Sequence, residues 1–132
     1  MSAVSFFTLR FLIENLLMKK IYYLKSCSTC QRIIQELGGL EDFDHQNIKE
    51  EPITEDQIEA MKALAGSYEA LFSRRSMKYR AWNLHEKTLT EADYKKYILE
   101  EYTFLKRPVL LINDEIFIGN TKKVVEAAKE KI

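Results

Sequence analysis

The feature that most constrains this chain is a pair of cysteines, Cys27 and Cys30, that lies between a predicted strand and a predicted helix. A β-rich run at 21–24 precedes the pair, and apolar residues at helical spacing follow it as far as Gly38 and Gly39, which are expected to end the helix. A cysteine at such a turn lies beside unpaired backbone N–H groups, which favour a thiolate. The second cysteine, one turn further on, can resolve a mixed disulfide formed on the first. The pattern therefore predicts a redox-active pair with Cys27 as the nucleophile.

Two other uses of paired cysteines are disfavoured by the rest of the sequence. A secreted disulfide scaffold has more cysteines, spread along the chain, whereas this chain has 2. A structural zinc site would need further ligands, and His45 and His85 fall at no zinc-finger spacing from the pair. We therefore expect no metal, no tightly bound cofactor, and a reducing compartment, the cytosol.

The charges of the chain are balanced, with 20 basic and 20 acidic residues among 132. A neutral chain has no net field to attract nucleic acid or an anionic membrane. Its uninterrupted apolar stretches are also too short to span a bilayer. We expect one soluble domain, a monomer, with neither a nucleic-acid nor a membrane partner.

The first 17 residues are apolar but interrupted by Arg10 and Glu14, and they lack the pattern of a signal peptide. Two interpretations are open for residues 1–17. They form an extra amphipathic helix, or they precede a natural start at Met18, which we favour because the predicted fold is complete without them. The expected domain is 18–132.

A helical insertion is predicted after the second strand, which is expected at 43–48. Thr54 and Gln57 have the spacing of a capping box and open a helix that Gly66 should end. A shorter helix is predicted at 68–72.

The last third of the chain is predicted to contain a helix, a hairpin and a final helix. The first helix starts at Thr90 and is expected to run through Tyr102. Strands at 108–112 and 115–118 flank a two-residue turn, and a helix through Ala128 follows. Taken with the first half, these elements predict an α/β, thioredoxin-like fold. It has a mixed four-stranded sheet, flanking helices and a helical insertion between the βαβ and ββα units.

Three arginines are candidates for binding an anion. Arg107 precedes Pro108 at the predicted start of a strand, where proline is tolerated and where the preceding peptide bond is a candidate for cis geometry. A guanidinium at this turn can hold an oxyanion through two parallel hydrogen bonds. Arg74 and Arg75 offer the same group in the insertion. Taken alone, each of these arginines would be interpreted as a surface residue.

From residue 21 onward the sequence resembles the arsenate reductase (ArsC) family and its relatives, the Spx-type transcription regulators. The resemblance rests on five segments that occur in the family's order. They are YLKSCSTC at 23–30, LFSRRS at 71–76, YRAWNL at 79–84, LKRPVLL at 105–111 and IGN at 118–120.

The resemblance implies roles for individual residues. Cys27 would be the nucleophile toward arsenate, Arg75 and Arg107 would hold the oxyanion, and Pro108 would be the cis-proline of the thioredoxin fold. Arg75 fits the family's motif better than Arg74, because a serine follows it. The implied partners are a small oxyanion or a thiol/disulfide substrate and a redox partner protein. Glutathione with glutaredoxin, or thioredoxin, would donate the electrons.

The sequence also departs from the family near the thiol. Arsenate reductases of this class usually lack the second cysteine, so Cys30 makes the segment similar to the redox switch of the regulators. Many relatives carry arginine where this chain has Gln31, with Arg32 one position later, and their nearby proline is replaced here by Lys25 or Ser26. Three functions therefore stay open. We favour a thiol-dependent oxidoreductase of the arsenate reductase type over an Spx-like adaptor of RNA polymerase and a glutaredoxin-like disulfide reductase.

Overall fold

The computed structural model describes residues 18–132, so the prediction about residues 1–17 falls outside the described residues. Within this range the chain forms four strands, five α-helices and three one-turn 3-10 helices. The strands are β1 (Lys19–Tyr23), β2 (Asp44–Asn47), β3 (Val109–Ile112) and β4 (Glu115–Ile118). The α-helices are α1 (Ser28–Glu36), α2 (Glu55–Ala65), α3 (Met77–Ala81), α4 (Glu91–Glu100) and α5 (Lys122–Lys131). The 3-10 helices are Glu69–Leu71, Leu84–Glu86 and Tyr102–Phe104.

The strands form one mixed sheet in the order β2-β1-β3-β4. β1 pairs parallel to β2, with α1 as the crossover between them, and antiparallel to β3. β3 and β4 form the predicted hairpin, whose turn residue Asn113 adopts a φ of 59°. The βαβ unit, the insertion and the ββα unit confirm the predicted thioredoxin-like α/β fold.

The sheet is covered by helices on both faces. In β1, Ile21 faces a core formed with α1 and α5, whereas Tyr22 faces a second core formed with the helical insertion. The four residues of β3 are all buried and alternate between these cores. The first core thus fixes α1, which starts at the cysteine pair, and the second fixes the insertion, which carries two of the three candidate arginines.

The predicted helix at 68–72 is wrong, because this stretch is only a 3-10 turn over Glu69–Leu71. Phe72 leaves the turn in an extended conformation and forms an isolated antiparallel bridge with Leu105. The bridge is a contact between residues far apart in sequence, and it takes precedence over the local helical pattern.

The predicted extension of the helix from Thr90 through Tyr102 is also wrong, because α4 ends at Glu100. Glu101 is extended, and its carboxylate accepts a hydrogen bond from the hydroxyl of Thr103 at 3.1 Å. The chain then forms a separate 3-10 turn. The five-residue helix α3 was not predicted; at this length hydrophobic periodicity gives little signal.

Candidate active site

Cys27 is the N-cap residue of α1 and follows directly from the turn after β1. Its backbone N–H donates to the carbonyl of Leu24 at 3.0 Å, and its own carbonyl accepts the N–H of Gln31 at 3.1 Å. Its side chain makes no capping hydrogen bond, and the first turn of α1 contains no acidic residue. The sulfur therefore lies at the positive end of a helix whose first N–H groups are not capped by a side chain.

Two side chains hold the turn that precedes Cys27. Asn47, the last residue of β2, accepts the N–H of Lys25 at 3.2 Å through Oδ1. Gln31, in the second turn of α1, donates from Nε2 to the carbonyl of Lys25. Sequence reasoning missed these contacts, since both are made to backbone groups and no residue pattern marks them. The side-chain amide of Gln31 thus stabilises the turn that precedes Cys27.

The two cysteines are free thiols in different surroundings. Cys30 is fully buried, with 0% of its surface exposed, whereas Cys27 is partly exposed. Burial raises the pKa of the Cys27 thiol, but the backbone N–H and side chain of Cys30, the N–H of Thr29 and the charge of Arg107 all favour the thiolate and bring that pKa below its ordinary value. Burial raises the pKa of Cys30 to about 11; a backbone hydrogen bond from Leu24 opposes this rise and the nearby Cys27 charge adds to it. Cys27 is therefore the accessible and more acidic thiol.

A cleft of about 510 Å³ opens in front of Cys27. Four cationic residues and no carboxylate line it among the residues that the structure describes: Arg74, Arg75, Lys106 and Arg107. The structure thus brings Cys27, Arg75 and Arg107 together, with Cys30 buried behind the exposed thiol. Lys106 is a lining cation that was not predicted as a site residue, although its position beside Arg107 could have indicated it.

The two cationic loops meet because the chain pairs them. Phe72 and Leu105 form the isolated antiparallel bridge, and the N–H of Lys106 donates to the carbonyl of Leu71 at 2.9 Å. Both bridge residues are buried in the core beneath the insertion. The insertion and the start of β3 are therefore joined at the point where each carries its arginines.

The two neighbouring arginines of the insertion differ in their contacts. Arg74 donates to the hydroxyl of Tyr94 at 3.0 Å and lies 3.9 Å from a carboxylate oxygen of Glu69. Within residues 18–132, the Arg75 side chain has no hydrogen-bond or ion-pair partner, although its backbone N–H donates to Ser73. An unpaired guanidinium is free to bind an anion, so the geometry favours Arg75 for that role and a structural role for Arg74.

Arg107 lines the cleft and is followed directly by Pro108. The peptide bond between them is cis, and Pro108 is buried. The carbonyl of Pro108 accepts the N–H of Gly119 at 2.9 Å, which joins this loop to the end of β4. Arg107 is partly buried and close enough to Cys27 to lower the pKa of its thiol.

Two further properties concern the described part of the chain, residues 18–132. No three His, Cys, Asp or Glu side chains there come together as they would in a metal site. None of the helices in this range is long and apolar enough to cross a membrane.

Comparison with known proteins places the chain among sequences and structures of one kind. The ArsC family matches residues 22–128. An arsenate reductase from Vibrio cholerae has a TM-score of 0.70 and 15% identity, covering 88% of this chain and 98% of that one. An arsenate reductase (ArsC) related protein from Brucella melitensis has a TM-score of 0.65 and 20% identity, covering 84% and 93%. A protein from Staphylococcus aureus has a TM-score of 0.68 and 24% identity, covering 83% and 97%. No curated protein matches the chain at a significant level.

Proposed function

The chain belongs to the ArsC family, and from this premise we propose that its Cys27 thiolate attacks an oxyanion or a disulfide bound in the cleft. One observation carries the proposal. A partly exposed thiol with a lowered pKa shares with Arg75 and Arg107 a cleft that no carboxylate of residues 18–132 lines. The protein is then a thiol-dependent oxidoreductase of a reducing compartment, and arsenate is the oxyanion to test first.

In the first step the Cys27 thiolate attacks the arsenic of arsenate. A sulfur–arsenic bond forms, and one arsenate oxygen leaves as water after taking up protons. The guanidinium groups of Arg75 and Arg107 neutralise the oxyanion, which would otherwise repel the thiolate. The N–H groups at the start of α1 stabilise the attacking sulfur before the bond forms.

In the second step Cys30 attacks the sulfur of Cys27. A disulfide forms, the electron pair of the sulfur–arsenic bond stays on arsenic, and arsenic(V) leaves as arsenic(III) in arsenite. The negative charge of Cys27 is one cause of the raised pKa of Cys30. Because that charge is lost when the Cys27 sulfur is bonded to arsenic, Cys30 becomes easier to ionise when it is needed. An external thiol, from glutathione with glutaredoxin or from thioredoxin, then reduces the disulfide.

The direct test supplies the reduced protein with arsenate and either donor system and measures arsenite. We expect turnover by the wild type and none by Cys27→Ser. Cys30→Ser lacks the resolving thiol, so it should accumulate a mixed disulfide between Cys27 and the reductant. Absence of arsenite with both donor systems would exclude arsenate as the substrate.

A second candidate, reduction of small disulfides, is favoured by the size of the cleft. A volume of about 510 Å³ lies within the range of sites that hold organic ligands of drug size, roughly 300–1,000 Å³. An oxyanion of five non-hydrogen atoms fills only part of such a space. Turnover of hydroxyethyl disulfide with glutathione, in the absence of arsenite formation, would assign the protein to this reaction.

A further inference from the structure

We propose that the surface around helix α3 is a docking site for an acidic dithiol protein that reduces the oxidised cysteine pair. The surface, called here the cationic rim, consists of the cleft residues Arg75 and Lys106 together with Met77, Lys78 and Arg80 of α3. The proposal rests on the proposed function, because it assigns the partner that restores the same thiol site.

Access to the disulfide limits where a reductant can bind. Cys30 is fully buried, so in a Cys27–Cys30 disulfide only the Cys27 sulfur can be attacked from outside. The attacking thiolate must approach through the mouth of the cleft, which the exposed residues Arg75 and Lys106 help to line. Any protein that performs this attack must therefore cover the surface next to the mouth.

The charge at this surface is unbalanced although the chain as a whole is neutral. The stretch 73–81 contains four basic residues and no acidic one. Among these, Lys78 and Arg80 are exposed and make no side-chain ion pair within the described part of the chain. Of the acidic residues that flank this stretch in sequence, Glu69 lies 3.9 Å from Arg74 and Glu86 lies 3.8 Å from Nε2 of His85. A partner with an acidic face around its cysteine is the complement to this surface.

Met77 indicates that the partner is a protein rather than a small thiol. Its side chain is 89% exposed, and it lies outside the residues that line the cleft. Methionine and arginine are both enriched in the buried centres of protein interfaces. A small thiol occupying the cleft would leave Met77 exposed, whereas a protein seated on the mouth would cover it.

Helix α3 is held firmly enough to present this surface in one arrangement. Ser76 caps the helix by accepting the N–H of Lys78 at 3.2 Å, and its hydroxyl also lies 2.7 Å from that of Thr103. On its inner side, Tyr79 packs edge-on against the buried Phe72, with 6.0 Å between ring centroids. The rim is therefore fixed to the same core that positions the arginines of the cleft.

The reaction at this surface is a two-electron exchange. A thiolate of the partner attacks the Cys27 sulfur, and Cys30 leaves as a thiolate and takes up a proton. The partner's second thiol, once deprotonated, attacks the resulting mixed disulfide and displaces Cys27 as a thiolate. The partner leaves as a disulfide, and the cysteine pair is reduced.

The test compares two reductants of the oxidised protein, a reduced thioredoxin of negative net charge and dithiothreitol. We expect Lys78→Glu/Arg80→Glu to lower the second-order rate constant with thioredoxin about tenfold at low ionic strength, and less at high ionic strength. The rate constant with dithiothreitol should change less than about twofold, because that reagent needs only the cleft. Met77→Ala should lower the rate constant for reduction by thioredoxin at both ionic strengths. Lys49→Glu/Lys129→Glu makes the same charge change away from the cleft and should have little effect.

Several results would overturn the proposal. Equal changes with both reductants, or an equal effect of the control variant, would show that the rim does not bind the partner. A wild-type dimer that the rim variant converts to a monomer would assign the surface to a second copy of the chain. If no Cys27–Cys30 disulfide forms, the resolving role of Cys30 fails. The docking proposal is then tested with the mixed disulfide of Cys27 and glutathione as the oxidised protein. The rate constants of the wild type and Lys78→Glu/Arg80→Glu are again compared for both reductants.

Discussion

The start of α1 differs from the starts of α2 and α4 in how its first N–H groups are used. Thr54 and Thr90 each cap their helix within a capping box, accepting the N–H of Gln57 at 3.1 Å and of Asp93 at 3.3 Å. Both helices also carry acidic residues in the first turn. At Cys27 neither feature is present. We call the starts of α2 and α4 closed, because a side chain caps each of them. The start of α1 is called open, because no side chain caps it and the Cys27 sulfur lies beside its first N–H groups.

The capped starts of α2 and α4 stabilise the fold, whereas the uncapped start of α1 favours the thiolate. A missing N-cap costs a helix about 1 kcal/mol relative to a good one. The unpaired N–H groups that result can stabilise a thiolate, and the charge of Arg107 acts in the same direction on the pKa of Cys27. The contrast extends to Cys30, one turn further along, because its burial raises its pKa to about 11.

Cys27→Ser should have the largest effect, because it should abolish turnover and at the same time raise the free energy of unfolding. Turnover is expected to fall to background, because a serine hydroxyl is not ionised at neutral pH. Serine is also a favoured N-cap, so the free energy of unfolding should rise by roughly 0.5–1 kcal/mol. Urea unfolding at an acidic pH below the titration of the wild-type thiol measures the second effect. Unchanged or lower stability would mean that the start of α1 is not short of a cap.

Arg107→Gln should have the next largest effect, and it should change only the chemistry at the open start of α1. Removing the cation raises the pKa of Cys27 and removes a ligand of the oxyanion, so kcat/KM for arsenate should fall by about tenfold or more. Arg32→Gln is the matched control, since Arg32 is exposed, lies outside the cleft and pairs weakly with Glu36 at 3.9 Å. Equal losses in the two variants would remove Arg107 from the site.

Thr54→Ala and Thr90→Ala should each lower the free energy of unfolding by about 1 kcal/mol. Neither side chain lies near the cleft, so the alkylation rate of Cys27 should be unchanged in both variants. Thermal unfolding should show a decrease in Tm of several degrees. A change in thiol reactivity would show that the closed helix starts also serve the site.

The smallest expected effect is a dependence of stability on pH below the ordinary thiol pKa of about 8.5. Because the pKa of Cys27 is lowered in the folded protein, the unfolded chain binds more protons in this range. Stability should therefore rise with pH through the folded pKa toward the ordinary thiol value. Urea titrations of the wild type, compared with Cys27→Ser, isolate this contribution. A wild-type curve no steeper than that of the variant would contradict it.

The order of strands and helices along the chain and the position of the thiol could be predicted because both depend on local patterns. β3 is recognisable as a continuous apolar run, and the capping box at Thr54 marks its helix directly. The stretch 68–72 could not be predicted, since its conformation depends on the bridge between Phe72 and Leu105. The same long-range pairing builds the cationic cleft, so the meeting of Arg75 with Arg107 was implied only by the family resemblance.

Activation of the thiol at the start of α1 is tested most directly by the alkylation rate of Cys27 as a function of pH, measured in Cys30→Ser. This variant leaves one thiol in the chain and keeps a hydroxyl that can donate a hydrogen bond to the Cys27 sulfur. We expect the midpoint of the rate profile to lie below the free-thiol pKa of about 8.5. A midpoint at or above that value would show that the open start of α1 does not activate the thiol.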